Sequence, residues 1–555
     1  MDMVWNLFFM FGGVAVMMLG MSLMGNGLEK FAGRKMKTML AKATSNRFAG
    51  VCVGLAVTSI IQSSTATTVM LVGFVNIGLL TLMQATSIIM GANIGTTVTA
   101  WIVSLSGADI NISAIAAMIG CVGILTQMLV NNDKAKNIGT ILGGLGVLFV
   151  GLEVISTFAT QIMFVDGDKN VPQEFVKTIF QTPHNPLLLI VIGIVLTALV
   201  HSSSTITSLM VVLASIGVLK FENALFLALG SNIGTCVTAI LSSAGTSVNA
   251  RRTAVVHLGF NTFGCLIVLA PIWIFKSNIA SFFASISSDV GTQIALFHTL
   301  FNVIVTIILM PFTSLIVKLV CRIVKDKEIV DDKYKMHFID ERMLETAPIA
   351  ASNTKKEIIR MSEIAINNLN LSIDMLVNNS TEQAQELRDN EKVINHLNKD
   401  ITRYLTKLMG KDLSVVDDKK VGSYYHVVSD IERVGDYAEN ILEYADRLSK
   451  EEVDLSKEAK EELLKVKDLI NSLYEVTIKI FDERDTSMFD KVDEIEECID
   501  NLSKELELRH IERLKKGDCT ASVGSIYLQT VSNLERVGDH ITNVAYSIRQ
   551  YSIQK

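Results

Sequence analysis

The 555 residues carry 50 Lys and Arg against 57 Asp and Glu, a net charge of −7, at a mean hydropathy of +0.39. So long a chain exceeds one ordinary domain, and its acidic balance argues against nucleic-acid binding. The seven cysteines (Cys52, Cys121, Cys236, Cys265, Cys321, Cys498, Cys519) show no CxxC spacing and five sit in apolar segments, so they read as structural rather than as a disulfide or zinc framework.

In chain order, hydropathy is carried by the part before about Cys321, a series of apolar stretches long enough to cross a ~30 Å hydrocarbon core. Met1-Asp2-Met3-Val4 lacks the basic region and cleavage site of a signal peptide, so the first stretch is expected to be a retained span. Lys30, Arg34, Lys35, Lys37, Lys42 and Arg47 follow it and mark the cytoplasmic side. Segment 50–80 has two apolar halves of ~12–15 residues, each too short to span, around Gln62-Ser63-Ser64-Thr65, which predicts a re-entrant hairpin. Spans near 82–105 and 112–130 come next, then the inside pair Lys134 and Lys136 and a span over 139–163. The loop with Asp166, Asp168 and Glu174 is poor in bases and is placed outside. A second hairpin over 187–219 turns at His201-Ser202-Ser203-Ser204, and spans near 221–245, 253–276 and 292–318 complete the count. Arg251-Arg252 and Lys318, Arg322 and Lys325 mark further inside loops.

The chain repeats itself. Gly54 to Ala100 aligns without a gap on Gly193 to Ala239, with about 18 of ~47 positions identical. The shared landmarks are polar: the two hairpin turns, and Gly91-Ala92-Asn93-Ile94-Gly95-Thr96 on Gly230-Ser231-Asn232-Ile233-Gly234-Thr235. Loop charges run the first span outside to inside and its counterpart inside to outside, so the copies are expected to be antiparallel, an inverted repeat.

A hairpin tip at mid-membrane leaves backbone groups unpaired and is tolerable only where protein or a water-filled cavity meets it. The second half-helix begins at the serines, so N–H groups and the positive dipole end face the tip and suit phosphate. Carbonyls of the first half-helix, with Gln62 Oε1 and hydroxyls, suit Na⁺. Two glycines around an Asn in each GxNIGT string favour an unwound stretch, a broken helix facing its hairpin. With almost no Lys, Arg, Asp or Glu in the apolar part, an anion site must lean on dipoles, hydroxyls and co-bound cations. Small polar residues also serve plain helix packing, but packing alone does not preserve the turn, the Asn and their spacing twice.

These strings resemble the sodium/phosphate cotransporter family, the type II group shared by bacteria and animals, over both QSS-type motifs and most of residues 1–320. The resemblance implies that Gln62, Ser63, Ser64, Thr65, Ser202, Ser203 and Ser204 bind phosphate and sodium, with Asn93, Thr96, Asn232 and Thr235 alongside. His201 stands where a second Gln is expected, and its ring nitrogens can still accept or donate a hydrogen bond. His257-Leu258-Gly259-Phe260-Asn261 and His298-Thr299-Leu300-Phe301-Asn302 also look like this family, with helix packing by polar pairs as their alternative role.

From about Asp340 the pattern changes to long amphipathic helices, again duplicated: Asp430-Ile-Glu432-Arg433-Val-Gly435-Asp436 with Asn440 recurs as Asn533-Leu-Glu535-Arg536-Val-Gly538-Asp539 with Asn543. Glu391 parallels Glu496, four residues before Asp500. Two tandem three-helix units follow. The segment resembles PhoU-like proteins, six-helix regulators of phosphate uptake whose E-x-x-x-D motifs bind metal clusters. That resemblance makes Glu432, Asp436, Glu535 and Asp539 ligand candidates, with Asn440 and Asn543 beside them, for a divalent ion or for iron, zinc or manganese.

The expected protein is an all-α, multi-pass protein of the cytoplasmic membrane. Residues 1–325 form the transport part, 326–340 a linker, and 341–555 a cytoplasmic regulatory bundle. Its reading is sodium-coupled phosphate symport without enzyme chemistry; export, or a phosphate sensor signalling through the tail, are the alternatives. The lipid bilayer, sodium and inorganic phosphate are the implied partners, and the sequence admits a homodimer or a cytoplasmic regulatory partner without specifying either.

Overall fold

The computed structural model describes residues 2–42, 46–105, 112–167, 171, 173–177, 185–325, 333–345, 347–411, 413 and 415–549. Asp168, residues 326–332 of the expected linker, and the side chains of Arg34, Lys35, Lys37, Lys42 and Asp166 lie outside the described set. Among the described residues there is no β-strand, and the chain divides into two compact units, Met1–Glu328 and Ile329–Lys555.

The first unit opens with α1 (Asp2–Lys42), α2 (Arg47–Ile61), α3 (Ser64–Asn76), α4 (Leu82–Gly95), α5 (Thr97–Ser104), α6 (Ile112–Leu129) and α7 (Asp133–Met163). It continues with a single turn α8 (Glu174–Val176), then α9 (Pro186–Val200), α10 (Ser203–Ser215), α11 (Phe221–Gly234), α12 (Cys236–Ser242), α13 (Val248–Ile286), α14 (Val290–Leu309) and α15 (Thr313–Ile323). Among the described residues seven segments are long and apolar enough to cross a membrane, including Leu82–Ser104, which joins α4 to α5, and Phe221–Ser242, which joins α11 to α12. The four hairpin helices, at 13 to 15 residues, are not.

Local chemistry sets the helix starts. Asn46, Asn132, Asn185 and Asp289 accept from backbone N–H groups one turn ahead, Pro186 occupies the first turn of α9, and Thr81 with Gln84 closes a capping box on α4. Pro271 lies inside α13, which departs from helical geometry at Phe275.

Glycines decide which helices touch. A Cβ on Gly54 of α2 would lie 2.0 Å from the Ile88 carbonyl oxygen of α4, and one on Gly91 would lie 1.9 Å from that of Val51. Their repeat partners do the same: Gly230 meets the Ile190 oxygen at 2.0 Å and Gly193 the Leu227 oxygen at 2.4 Å. In each copy, then, the first half of the hairpin lies backbone to backbone on the helix bearing the GxNIGT string. The second half crosses over, α3 packing on α12 and α13, and α10 on α5 and α14. Helices α1, α6 and α7 form a layer of their own, joined through Gly20, Gly144 and Gly123.

The unwinding foreseen in GxNIGT does not occur. The break between the two helix halves is a single residue, Thr96 or Thr235, and each keeps right-handed helical dihedrals, φ −59, ψ −27, with its N–H donating to the carbonyl four residues back. Gly91, Gly95, Gly230 and Gly234 serve close helix approach instead, since each faces a hairpin backbone carbonyl.

The second unit holds α16 (Ala347–Asn378), α17 (Ala384–Met409), α18 (Val415–Lys450), α19 (Lys457–Glu483), α20 (Phe489–Lys516) and α21 (Ala521–Tyr546). Helices α16–α18 and α19–α21 make two three-helix groups that meet through α16 with α19 and α18 with α21. At the first seam Asn370 and Asn471 exchange amide hydrogen bonds at 2.9 and 3.0 Å. Ahead of α16 the chain is caught by Glu357, whose buried carboxylate accepts the His337 and Phe338 backbone N–H groups at 2.8 and 2.6 Å.

Candidate functional site

The two hairpins turn identically. Gln62 closes α2 at φ 59, ψ 19 and His201 closes α9 at φ 56, ψ 22, both in the left-handed region. Ser63 and Ser202 then cap α3 and α10, their hydroxyl oxygens accepting from Ala66 N at 3.1 Å and Thr205 N at 3.2 Å. A capping hydroxyl spends its oxygen on the helix and keeps its proton to donate outward. Helix geometry leaves the Ser64, Thr65, Ser203 and Ser204 N–H groups without an intrahelical acceptor.

The tips abut each other: the Thr65 hydroxyl donates to the His201 backbone carbonyl at 3.2 Å. Each tip is also tied to the far half of its own GxNIGT helix. Thr99 Oγ1 donates to Gln62 Oε1 at 2.9 Å, and His201 Nδ1 meets Thr238 Oγ1 at 3.0 Å. His201 therefore makes the bond that Gln62 makes in the other copy, with a ring nitrogen in place of an amide oxygen. Gln62 is buried and His201 is exposed. Thr99 and Thr238 were not anticipated as site residues, although the repeated strings Val98-Thr99-Ala100 and Val237-Thr238-Ala239 carried the signal.

The other expected residues are placed differently. Thr96 and Thr235 bond the carbonyls of Ala92 and Ser231 at 3.0 Å, and Asn93 donates to Ile89 O at 3.1 Å, all within their own helices. Asn232 faces α14: its Nδ2 donates to Asn302 Oδ1 at 3.0 Å and its Oδ1 lies 3.1 Å from His298 Nε2. From α2 through α5 and α9 through α12 the charged side chains are Arg47, Lys220 and Glu222, each at a helix start, so these helices bring no fixed charge to the tips.

In the second unit Glu496, Asp500 and Asp539 bring one carboxylate oxygen each to within 4.8 Å of one another. Burial, with Asp500 and Asp539, raises the Glu496 and Glu535 carboxyls; burial and Asp500 raise Asp539. Carboxylates that resist joint ionisation are a donor set that fits a divalent cation. The first-half counterpart differs. Glu391 is buried with Oε2 unpartnered and held by Asn395 at 3.0 Å, its carboxyl pushed up to about 7 by burial and by Asp436, Glu439 and Glu432. Asp436 pairs with Arg433 at 3.2 Å, and Glu432 is raised by burial and by Asp436. Asn440 and Asn543 lie on α18 and α21 beyond these acids.

Comparison with known proteins agrees with the doubling. The profile of the Na+/Pi-cotransporter family matches residues 16–157 and again 158–301, and the PhoU domain profile matches 358–445 and 463–548. A Salmonella typhimurium protein bearing the provisional name inorganic phosphate export protein YjbB is 23% identical over 546 residues, covering 98% of this chain and 97% of its own length. The Thermotoga maritima phosphate-specific transport system accessory protein PhoU homolog 1 is 25% identical over 198 residues, 35% of this chain and 83% of that protein. Rabbit (Oryctolagus cuniculus) sodium-dependent phosphate transport protein 2A is 43% identical over 91 residues, 15% of this chain and 14% of that protein. With paired hairpins, apolar spanning helices and both halves matched, the chain belongs to the Na+/Pi-cotransporter family of phosphate transporters and is a multi-pass membrane protein carrying a duplicated PhoU domain.

Proposed function

We propose that the chain is a sodium-coupled secondary transporter of inorganic phosphate, built as an inverted repeat, with its substrate site at the two abutting tips and its PhoU tail as regulator. The carrying observation is the Thr65–His201 bond, which brings two equally capped half-helix N-termini to one place. Each N-terminus is worth roughly +0.5 charge, so the pair supplies about +1 against the −2 of hydrogen phosphate. Among the described residues of α2–α5 and α9–α12 no Lys or Arg beyond the helix starts makes up the difference, which leaves it to co-bound Na⁺. The hydroxyls of Ser63 and Ser202 and the N–H groups of Ser64, Thr65, Ser203 and Ser204 hold the anion. Gln62 Oε1 and the last carbonyls of α2 and α9 are hard oxygen donors for sodium. Alternating access then moves the hairpin-bearing repeats around this point.

In the tail, Glu496, Asp500, Glu535 and Asp539 hold a divalent or transition-metal ion, with Glu432 and Asp436 as the first-half counterparts. Uptake of labelled phosphate into proteoliposomes under an inward sodium gradient tests the transport reading. Absence of flux from well-folded protein under any gradient of sodium or phosphate would sink it in favour of a sensor. The name of the full-length Salmonella relative favours one second reading, outward transport by the same site, and efflux from phosphate-loaded vesicles measures it.

A further inference from the structure

The two GxNIGT turns are alike in sequence and unlike in what surrounds them. In the first, the polar side chains turn inward on their own helix: Asn93 Nδ2 donates to Ile89 O at 3.1 Å and Thr97 Oγ1 to Ile94 O at 2.8 Å. Helix α14 touches this copy on either side of the turn, through Thr306 Oγ1 to Met90 O at 3.4 Å and Trp101 Nε1 to Thr299 Oγ1 at 2.9 Å.

In the second copy the equivalent positions, Asn232 and Cys236, are held from two other helices. Asn302 Nδ2 donates to the His298 carbonyl at 2.8 Å, so its Oδ1 is the acceptor for Asn232 Nδ2 at 3.0 Å. Asn232 Oδ1 must then receive a proton from His298 Nε2 at 3.1 Å, which fixes the imidazole tautomer and leaves Nδ1, buried and unpartnered, as a bare acceptor. On the other side Asn261 Nδ2 reaches Cys236 Sγ at 3.2 Å, and that thiol points to the His257 carbonyl at 3.5 Å. Both HxxFN strings have the same internal bond, Asn to the carbonyl of its own His, and both close on one turn. Asn232, His298, Asn302, Asn261 and His257 are all at least 94% buried, where a lost partner has no water to replace it.

We propose that His298 and Asn302, with Asn261 behind them, are positioning residues that orient the Asn232 amide and clamp the second GxNIGT turn to α13 and α14. The first turn is left as the one that rearranges when access alternates. The proposal rests on the transport reading above for its phosphate readout, but not for its exchange readout.

The test uses the full chain in lipid nanodiscs. Amide hydrogen exchange over Asn93–Thr97 should run at least about tenfold faster than over Asn232–Cys236, and His298→Leu should bring the second turn up to the rate of the first. His298→Gln, which keeps an N–H donor, should restore protection. In proteoliposomes His298→Leu and Asn302→Leu should each raise the apparent KM for phosphate about tenfold with a smaller change in maximal rate, and should not add when combined. Equal exchange at the two turns in the wild type overturns the clamp whatever the flux. Failure of His298→Gln to rescue, or a fall in maximal rate alone, overturns the positioning role. Should wild-type protein carry no phosphate at all, the exchange experiment still decides the clamp, and the transport reading fails separately.

Discussion

Replacing Gly91 by Ala puts a methyl group 1.9 Å from the Val51 carbonyl oxygen, 2.7 Å from its carbon and 2.8 Å from Leu55 N. Ordinary contact begins near 3.4 Å, so α2 and α4 must part by about 1.5 Å at this point. Both surfaces are backbone, and no side-chain rotation can absorb the shift, so the cost belongs at the upper end of overpacking, about 3 kcal/mol. Alanine's better helix propensity returns up to about 1 kcal/mol, leaving a net loss of about 2 kcal/mol. Function should suffer more than stability. Because α2 ends at Gln62, the separation displaces a tip, and a displacement of about 1 Å is worth on the order of 10²-fold in rate. Phosphate flux in proteoliposomes and thermal unfolding in detergent measure the two effects. Gly12→Ala, with nothing within 4 Å, is the silent control, and Gly230→Ala should reproduce the defect in the second copy. Wild-type flux and unfolding temperature in Gly91→Ala would refute the close-approach argument.

Removing the tip-to-tip bond by Thr65→Val should cost about 1 kcal/mol and raise the apparent KM for phosphate about fivefold; an unchanged KM returns that hydroxyl to a packing role. Ser63→Ala and Ser202→Ala each remove a helix cap as well as a donor, so both should depress flux and loosen α3 or α10 in hydrogen exchange. Glu391, raised to about 7, adds stability that is complete below the ordinary carboxyl value of about 4.3 and is lost as pH climbs through 7. Glu391→Gln should therefore increase amide protection of α17 and α18 at pH 8 by about 2 kcal/mol, with no gain at pH 4, and equal protection at both pH values would contradict it. Full-length protein equilibrated with zinc or manganese should lose tail-bound metal on Asp500→Asn or Asp539→Asn; unchanged content by elemental analysis would remove both from the ligand set.

Much of the site could be read from residue order because short-range rules govern it. A Gln or His followed by serines, between apolar runs too short to span, left few options besides a capped half-helix at each tip, and both form as expected. The duplication was legible for the same reason, since a gapless register carries every turn with it. Long-range polar contacts were not. Nothing local tells that Thr65 ends on the carbonyl of His201, 136 residues away, or that Asn232 is spent on α14 while Asn93 is spent on its own helix. Glycine misled in a specific way: the flexibility that suggested unwinding matters less here than the missing Cβ, which is visible only once a neighbouring carbonyl is 2 Å from where it would stand. In the tail, the equivalence of the two ERVGD strings concealed that Glu391 is buried beside Gly435 while Glu496 meets Asp500 and Asp539.

Gln62 and His201 take a backbone conformation that suits glycine, and each costs the chain about 1–2 kcal/mol by doing so. The side chains offset that cost unequally. Gln62 is buried and accepts from the buried Thr99 hydroxyl, so Gln62→Gly relieves the backbone only by leaving Thr99 without its partner. His201 is exposed, so screens for thermostable variants should select His201→Gly ahead of Gln62→Gly and return a well-behaved protein whose second tip has lost its tie to Thr238.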